Sequence, residues 1–492
     1  MHWRAPRRCR LNALRPPGPK PHFLIGNVPL ADSNPLAVFQ RWAAEYGDIF
    51  YYRAGWIRVY FLNHPDLIEA VLVRQYQNLL KDRVIRNSRW LFGEGLLTSE
   101  GETWKRQRRL TQPAFHRERI ASYAGIMTQY TEQAVADWQD GAVVDLHREM
   151  MRLTLKIAVR TLFNVEPDGI REISQAADVL VRNMTGARML MPSLARFLPL
   201  PSMLEVRRAV RQLDRTVYQI IDRRRRNRQD SGDLLSMLLE ARDEDGSDMD
   251  DQQVRDEVLT FLLAGHETTA LALSWAWHLL AENREADERL RDELDRVLGG
   301  RAPAISDLTS LPYTEGVIKE SLRLYPPAWG VGRTVAKEFE LGGYRIPAGA
   351  SVVMSQWVQH RDARFFPDPE KFDPGRWSTE ASRKLPRFAY FPFGAGPRQC
   401  IGASFAMMEG VLLLATIAQR FQPCSVPGHP VEPLPSITLR PKRGVRMELR
   451  QRRDVSRLEG VLHSVHSAGM AVGTACPAIT SDGSTAPGVE PS

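Results

Sequence analysis

Residues 251 to 283, DQQVRDEVLTFLLAGHETTALALSWAWHLLAEN, limit what this chain can become more than any other stretch. The segment opens with acidic residues, as a helix N-terminus prefers, and is apolar on nearly all faces at its centre. A helix of that kind must run through a core, so the rest of the chain has to wrap around it. Most of the chain can do so as helix. Residues 126 to 138, 148 to 163, 203 to 227 and 285 to 298 repeat their apolar positions with helical period. Strand-like alternation is confined to 47 to 72, a hairpin that turns into a helix at His64-Pro65, and to short runs within 339 to 354 punctuated by Gly-Gly and Pro-Ala-Gly. The pattern predicts a mainly α fold with a smaller β region and contains no internal repeat.

Charge and cysteine content then remove several classes. The 492 residues carry a formal charge of +8, which invites a nucleic-acid reading. The densest basic run, Arg223 to Arg228, is however followed at once by the acidic stretch 241 to 251, so we expect a solvated helix end and no nucleic-acid partner. Cys9, Cys400, Cys424 and Cys476 cannot form a disulfide framework in so long a chain, and a reducing cytoplasm fits them best. The N-terminal segment, 1–20, is basic and proline-rich without an apolar run long enough for a signal peptide or membrane anchor. Residues 451–492 are rich in Ser, Gly, Ala, Thr and Pro without period and read as a disordered tail. One catalytic domain over 21–450 is the expectation, acting as a monomer.

Cys400 stands out within FPFGAGPRQCIG, residues 391 to 402. Gly394, Gly396 and Gly402 permit close backbone approach, and Arg398 supplies a fixed positive charge. Positive neighbours and a helix N-terminus both favour a thiolate, so this thiol is expected to ionise. A phosphatase-type loop would need an arginine six residues on, where Ala406 stands, and no second cysteine or histidine lies at zinc-ligand spacing. What remains is a buried thiol or the single protein ligand of a metal cofactor.

Phe393-x-x-Gly396-x-Arg398-x-Cys400-x-Gly402 matches the haem-binding signature of the cytochrome P450 superfamily at every fixed position, and the chain resembles that family over roughly residues 15 to 450. Three further fragments agree. Glu320-Ser-Leu-Arg323 matches the family's E-x-x-R motif, and Arg376 the arginine that completes its buried network. Ala264-Gly265-His266-Glu267-Thr268 matches its oxygen-binding motif, in which a Thr hydroxyl bonding back to the carbonyl of Ala264 would loosen the helix and open a groove. Trp104 and Arg108 match a W-x-x-x-R helix motif one turn apart. His266 occupies a variable position and is expected to be packed rather than ligating.

The resemblance implies haem b between the central helix and the cysteine loop, with Cys400 as axial ligand to the iron and Phe393 packed beside it. The glycines of the loop would make room for the porphyrin, and Trp104, Arg108, Arg333 and Arg398 would meet its propionates. Glu267 and Thr268 would deliver protons. Such an enzyme is a monooxygenase that inserts one atom of O2 into a lipophilic substrate such as a fatty acid, terpenoid or polyketide. Its electrons would come from NAD(P)H through a separate ferredoxin or flavodoxin and reductase, since the chain has no G-x-G-x-x-G segment on a strand-turn-helix. Substrate-lining segments implied by family position are 83 to 97, about 180 to 205, 262 to 264, 327 to 331 and 434 to 439.

Overall fold

The computed structural model describes residues 15–23, 25–27, 34–164, 170–183, 201–227 and 232–452. Residues 1–14, the tail from 453, and residues 184–200 of the lining segment expected at about 180 to 205 lie outside the described residues.

The central helix runs unbroken from Asp251 to Glu282. Its start is set by a capping box: the Asp250 carboxylate accepts from the Gln253 N–H at 2.7 Å, and the Gln253 side chain accepts from the Asp250 N–H. The Thr268 hydroxyl does bond back to the Ala264 carbonyl, at 2.9 Å, yet the helix continues through it without interruption. The helix belongs to two cores. Val254, Val258, Leu259 and Leu262 pack with helices Ile170–Asn183 and Pro201–Asn227, whereas Leu273, Ala276, Trp277 and Leu280 pack with helices Ala124–Ala136, Pro312–Leu324 and Ala403–Arg420. Helix Leu146–Phe163 contributes to both. Ala264 and Gly265 sit at the seam between them.

The β region is less local than the hairpin suggests. Strands Ile49–Ala54 and Ile57–Leu62 form it as expected, but Ser351–Met354 pairs parallel with the second strand, followed by Val331–Val335 and Leu79–Lys81. The register sets Lys81 directly opposite Arg333. Among the described residues no helix is long and apolar enough to cross a membrane.

Part of the basic run is paired within the chain. Arg224 forks onto Asp233 at 2.8 and 2.9 Å, Arg225 pairs with Asp251 at 2.6 Å, and the acidic stretch also takes Arg106 onto Asp243 at 2.7 Å.

Candidate active site

The cysteine loop is a closed turn ahead of helix Ala403–Arg420. The Cys400 N–H donates to the Phe393 carbonyl at 2.9 Å, and the Gln399 N–H to the Gly396 carbonyl at 3.0 Å. Gly396 has a φ of +69°, and a Cβ there would stand 2.2 Å from the Leu72 carbonyl oxygen. Its missing side chain thus admits protein backbone, not a ligand, which corrects the expectation that this glycine makes room for a porphyrin.

The Cys400 thiol is also not what its neighbours suggest. It reaches accessible surface, yet burial pushes its pKa up, and the Gly402 N–H and the Arg108 charge only partly oppose that. Both facts fit a sulfur that opens onto an internal recess rather than bulk water. Burial thus works against the ionisation that the charged neighbours favour. Arg108 is held nearby through a bond from its guanidinium to the Gln399 carbonyl at 3.0 Å.

On the central helix, Ala264 and Gly265 are exposed although their neighbours on either side are buried, and a Cβ on Gly265 would meet no atom within 4 Å. An accessible backbone turn in a core helix is a place for something flat to lie. His266, facing the other way, is buried with Nδ1 2.7 Å from the Leu262 carbonyl, as expected of a packed histidine. Glu267 and Thr268 are adjacent but do not share a bond. The Thr268 hydroxyl is directed to the Ala264 carbonyl, while Glu267 Oε1 accepts from Thr438 at 2.8 Å and from Arg440 at 2.6 and 2.7 Å. Arg440 and Thr438 carry no motif, so the sequence offered no means of finding this tether.

A third group gathers around Glu100. Arg398 ion-pairs with it at 2.6 Å and lies over the Trp104 ring at 5.3 Å, while its Nε and Nη1 are buried without a partner. Arg333 gives one bond to the Gly332 carbonyl, and burial with the Arg398 charge lowers it to about 10. Lys81, which sequence reasoning missed, donates from Nζ to the Leu96 and Ser99 carbonyls at 2.7 and 2.6 Å. Burial lowers it to about 7. Three enclosed basic groups thus gather around Glu100, with Asp82 beside Arg333 and Glu257 beside Lys81, and the unpartnered nitrogens of Arg398 could take a further carboxylate. The loop above them is fixed to the central helix: Asp256 accepts from the Glu94 N–H at 2.8 Å and Glu257 from the Leu96 N–H at 3.0 Å.

Glu320, Arg323 and Arg376 do assemble, fully buried in the first two cases. Glu320 binds Arg323 through both oxygens at 2.8 and 2.9 Å, Arg376 at 3.3 Å and the Trp377 indole N–H at 2.8 Å. Arg323 also donates to the His360 carbonyl at 2.9 Å, and His360 Nε2 accepts from the Phe391 N–H at 3.0 Å, two residues before Phe393. The network therefore braces the cysteine loop.

This chain is similar to known proteins over nearly all of its described length. The family model for cytochrome P450 matches residues 16–446. Cyclooctat-9-en-7-ol 5-monooxygenase of Streptomyces melanosporofaciens is 39% identical over 415 residues, covering 84% of this chain and 90% of the relative. Pentalenene oxygenase of Streptomyces avermitilis is 35% identical over 415 residues, covering 83% and 91%. A retinoic acid-bound cyanobacterial cytochrome P450, CYP120A1, superposes with a TM-score of 0.80 at 25% identity over 89% of this chain and all of that one. The family's enzymes work with haem and O2. The chain belongs to the cytochrome P450 family and is one of its monooxygenases.

Proposed function

We propose that this chain binds haem b through Cys400 and inserts one oxygen atom from O2 into a terpenoid, with electrons relayed from NAD(P)H by a separate ferredoxin or flavodoxin and its reductase. One observation carries the reading. The accessible Cys400 and the accessible Ala264-Gly265 turn occur together with a group of enclosed cations, one of which, Arg398, keeps Nε and Nη1 buried without a partner. Thiol, flat surface and paired positive charge are what an iron porphyrin with two propionates requires. The terpenoid substrate class is supported by the Streptomyces relatives, a cyclooctat-9-en-7-ol 5-monooxygenase and a pentalenene oxygenase, and by apolar residues such as Leu263 and Trp329 in the expected lining segments.

In this reading Cys400 would be the protein ligand to the haem iron, and Arg398, Arg333, Lys81 and Trp104 would meet the propionates. Arg108 stands near the thiolate, and Phe393, Gly396 and Gly402 shape the loop that carries it. When bound, a thiolate-ligated haem supplies reductive activation of O2. The chain's own part is to exclude water and to hold protons at defined atoms. Thr268 presents a hydroxyl at the accessible turn, and Glu267, tethered by Arg440 and Thr438, is the neighbouring group that can exchange a proton with it. For that exchange Arg440 must release the carboxylate or Thr268 must rotate away from Ala264.

The test is spectroscopic. The reduced protein with carbon monoxide should show the strongly red-shifted Soret band of thiolate ligation, and Cys400→Ser should lose it; an unchanged band in that variant sinks the assignment. Difference spectra across a terpenoid and fatty-acid panel then decide the substrate class.

A further inference from the structure

The three most exposed large apolar side chains among the described residues are Trp56 at 84%, Phe23 at 76% and Ile25 at 56%, and all three meet at one place. Trp56 tips the hairpin Ile49–Ala54/Ile57–Leu62. The loop carrying Phe23 and Ile25 lies against that tip. The Gly55 N–H donates to the Ile25 carbonyl at 3.2 Å, and Gly26 bridges to Ala54. Gly26 has a φ of +70°, and a Cβ there would stand 2.5 Å from the Arg53 carbonyl oxygen, so only glycine allows the approach.

The patch is built rather than loose. The Asn27 amide donates to the Lys20 carbonyl at 3.0 Å and its oxygen accepts from the Arg53 N–H at 2.9 Å. The His22 and Gly26 backbones bond to each other in both directions. Other exposed apolar residues, such as Val143, Ile305 and Leu434, come from separate parts of the chain.

Its electrostatics have one sign. Segments 15–27 and 49–62 contain Arg15, Lys20, Arg53 and Arg58 and no acidic residue. Arg53 and Arg58 are paired across the hairpin, so their side chains leave the same face. None of Lys20, Arg53 and Arg58 forms an ion pair among the described residues.

A protruding tip with Trp, Phe and Ile at its end and unpaired cations at its base matches an anionic lipid interface. Aromatic rings settle at headgroup level, while Lys and Arg meet lipid phosphates. A second copy of this chain is the poorer occupant, because a two-fold contact would set the same cations against each other. We propose that this hairpin tip docks the enzyme reversibly on an anionic membrane surface. The proposal goes beyond the assigned chemistry and does not depend on which residues hold haem.

The experiment uses the full-length haem-loaded protein and vesicles of phosphatidylcholine with or without phosphatidylglycerol. Sedimentation with the anionic vesicles at low salt, and loss of binding at high salt, is expected. The triple variant Trp56→Ser, Phe23→Ser, Ile25→Ser should bind anionic vesicles about tenfold or more weakly. Arg58→Glu, at an exposed position, should weaken binding severalfold with the apolar tip intact. Retention of the haem spectrum in both variants shows that the loss is not unfolding. Wild-type protein that stays in the supernatant, a triple variant that binds like wild type, or a patch that drives dimerisation without lipid overturns the proposal.

Discussion

Two clusters in this molecule use the same ingredients, buried guanidiniums around a single glutamate, and finish in opposite states. At Glu320, the donors of Arg323 that the carboxylate does not take go to the carbonyls of His360, Pro369 and Lys371, and Arg376 reaches the carbonyls of Pro367 and Asp368. That cluster is closed. Around Glu100, Lys81, Arg333 and Arg398 come together, and Arg398 keeps two buried nitrogens unpaired. The first is satisfied by protein alone and so acts as frame. The second keeps two nitrogens of Arg398 unsatisfied by protein, which is the difference on which its proposed role toward an anionic cofactor rests.

The largest effect should come from opening the closed cluster. Glu320→Ala strands Arg323, which is 0% exposed, as an uncompensated buried charge, and should cost about 3–5 kcal/mol in chemical denaturation. A loss below about 1 kcal/mol would mean that the network does not frame the cysteine loop.

The open cluster should answer with mixed sign. Arg398→Met replaces an underpaired cation by an apolar side chain of similar length, so the haem-free protein should keep its stability within about 1 kcal/mol or gain some. Haem retention, followed by transfer to apomyoglobin, should weaken about tenfold or more, because a charge-assisted contact is lost. If the haem-free variant is destabilised as much as Glu320→Ala, the two clusters are of one kind and the distinction fails.

How much of this was readable beforehand depended on how locally each feature is encoded. The central helix, its neighbours and the Cys400, Glu320 and Ala264 fragments are contiguous, so period and spacing exposed them. The sheet was only half visible, because Ile57–Leu62 pairs with Ser351–Met354 from nearly 300 residues away and no short-range pattern records that. Lys81 escaped for the same reason: it ends a three-residue strand, and only the register with Arg333 brings it to the site. The ionisation of Cys400 was misjudged because adjacent charges are written in the sequence while the burial that outweighs them is not. Gly396 was assigned to the wrong neighbour because Leu72 lies far away along the chain.

A smaller effect separates the two polar groups at the accessible turn. Thr268→Ala removes a hydroxyl whose bond is to its own helix, so stability should change by less than about 1 kcal/mol. The fraction of NAD(P)H electrons recovered in product should nevertheless fall, with peroxide rising. Arg440→Gln, which loosens the tether on Glu267, should alter that fraction in the loaded enzyme without moving the carbon monoxide band. If coupling is unchanged in Thr268→Ala, the hydroxyl belongs with the satisfied frame rather than with the chemistry.

The subtlest test titrates the unsatisfied charge itself. Burial lowers Lys81 from 10.5 to about 7, so between those values the unfolded chain binds the proton that the folded protein has released, and stability rises with pH. Burial raises Glu257 and Glu409 from 4.5 to about 8, so over that interval the folded protein holds protons the unfolded chain has lost, and stability falls with pH. Haem-free protein should therefore weaken from pH 5 toward 7, weaken more slowly between 7 and 8, where the two glutamates still outweigh the one lysine, and recover above 8. Haem brings carboxylates to the cation cluster and returns the Lys81 pKa toward its ordinary value, which should flatten the rise above pH 8 while leaving the decline below 7. Denaturation midpoints of both forms from pH 5 to 10 measure this. Lys81→Met should abolish the alkaline rise and Glu257→Gln should reduce the acid-side decline; a rise that survives Lys81→Met would place the surplus charge somewhere other than beside Glu100.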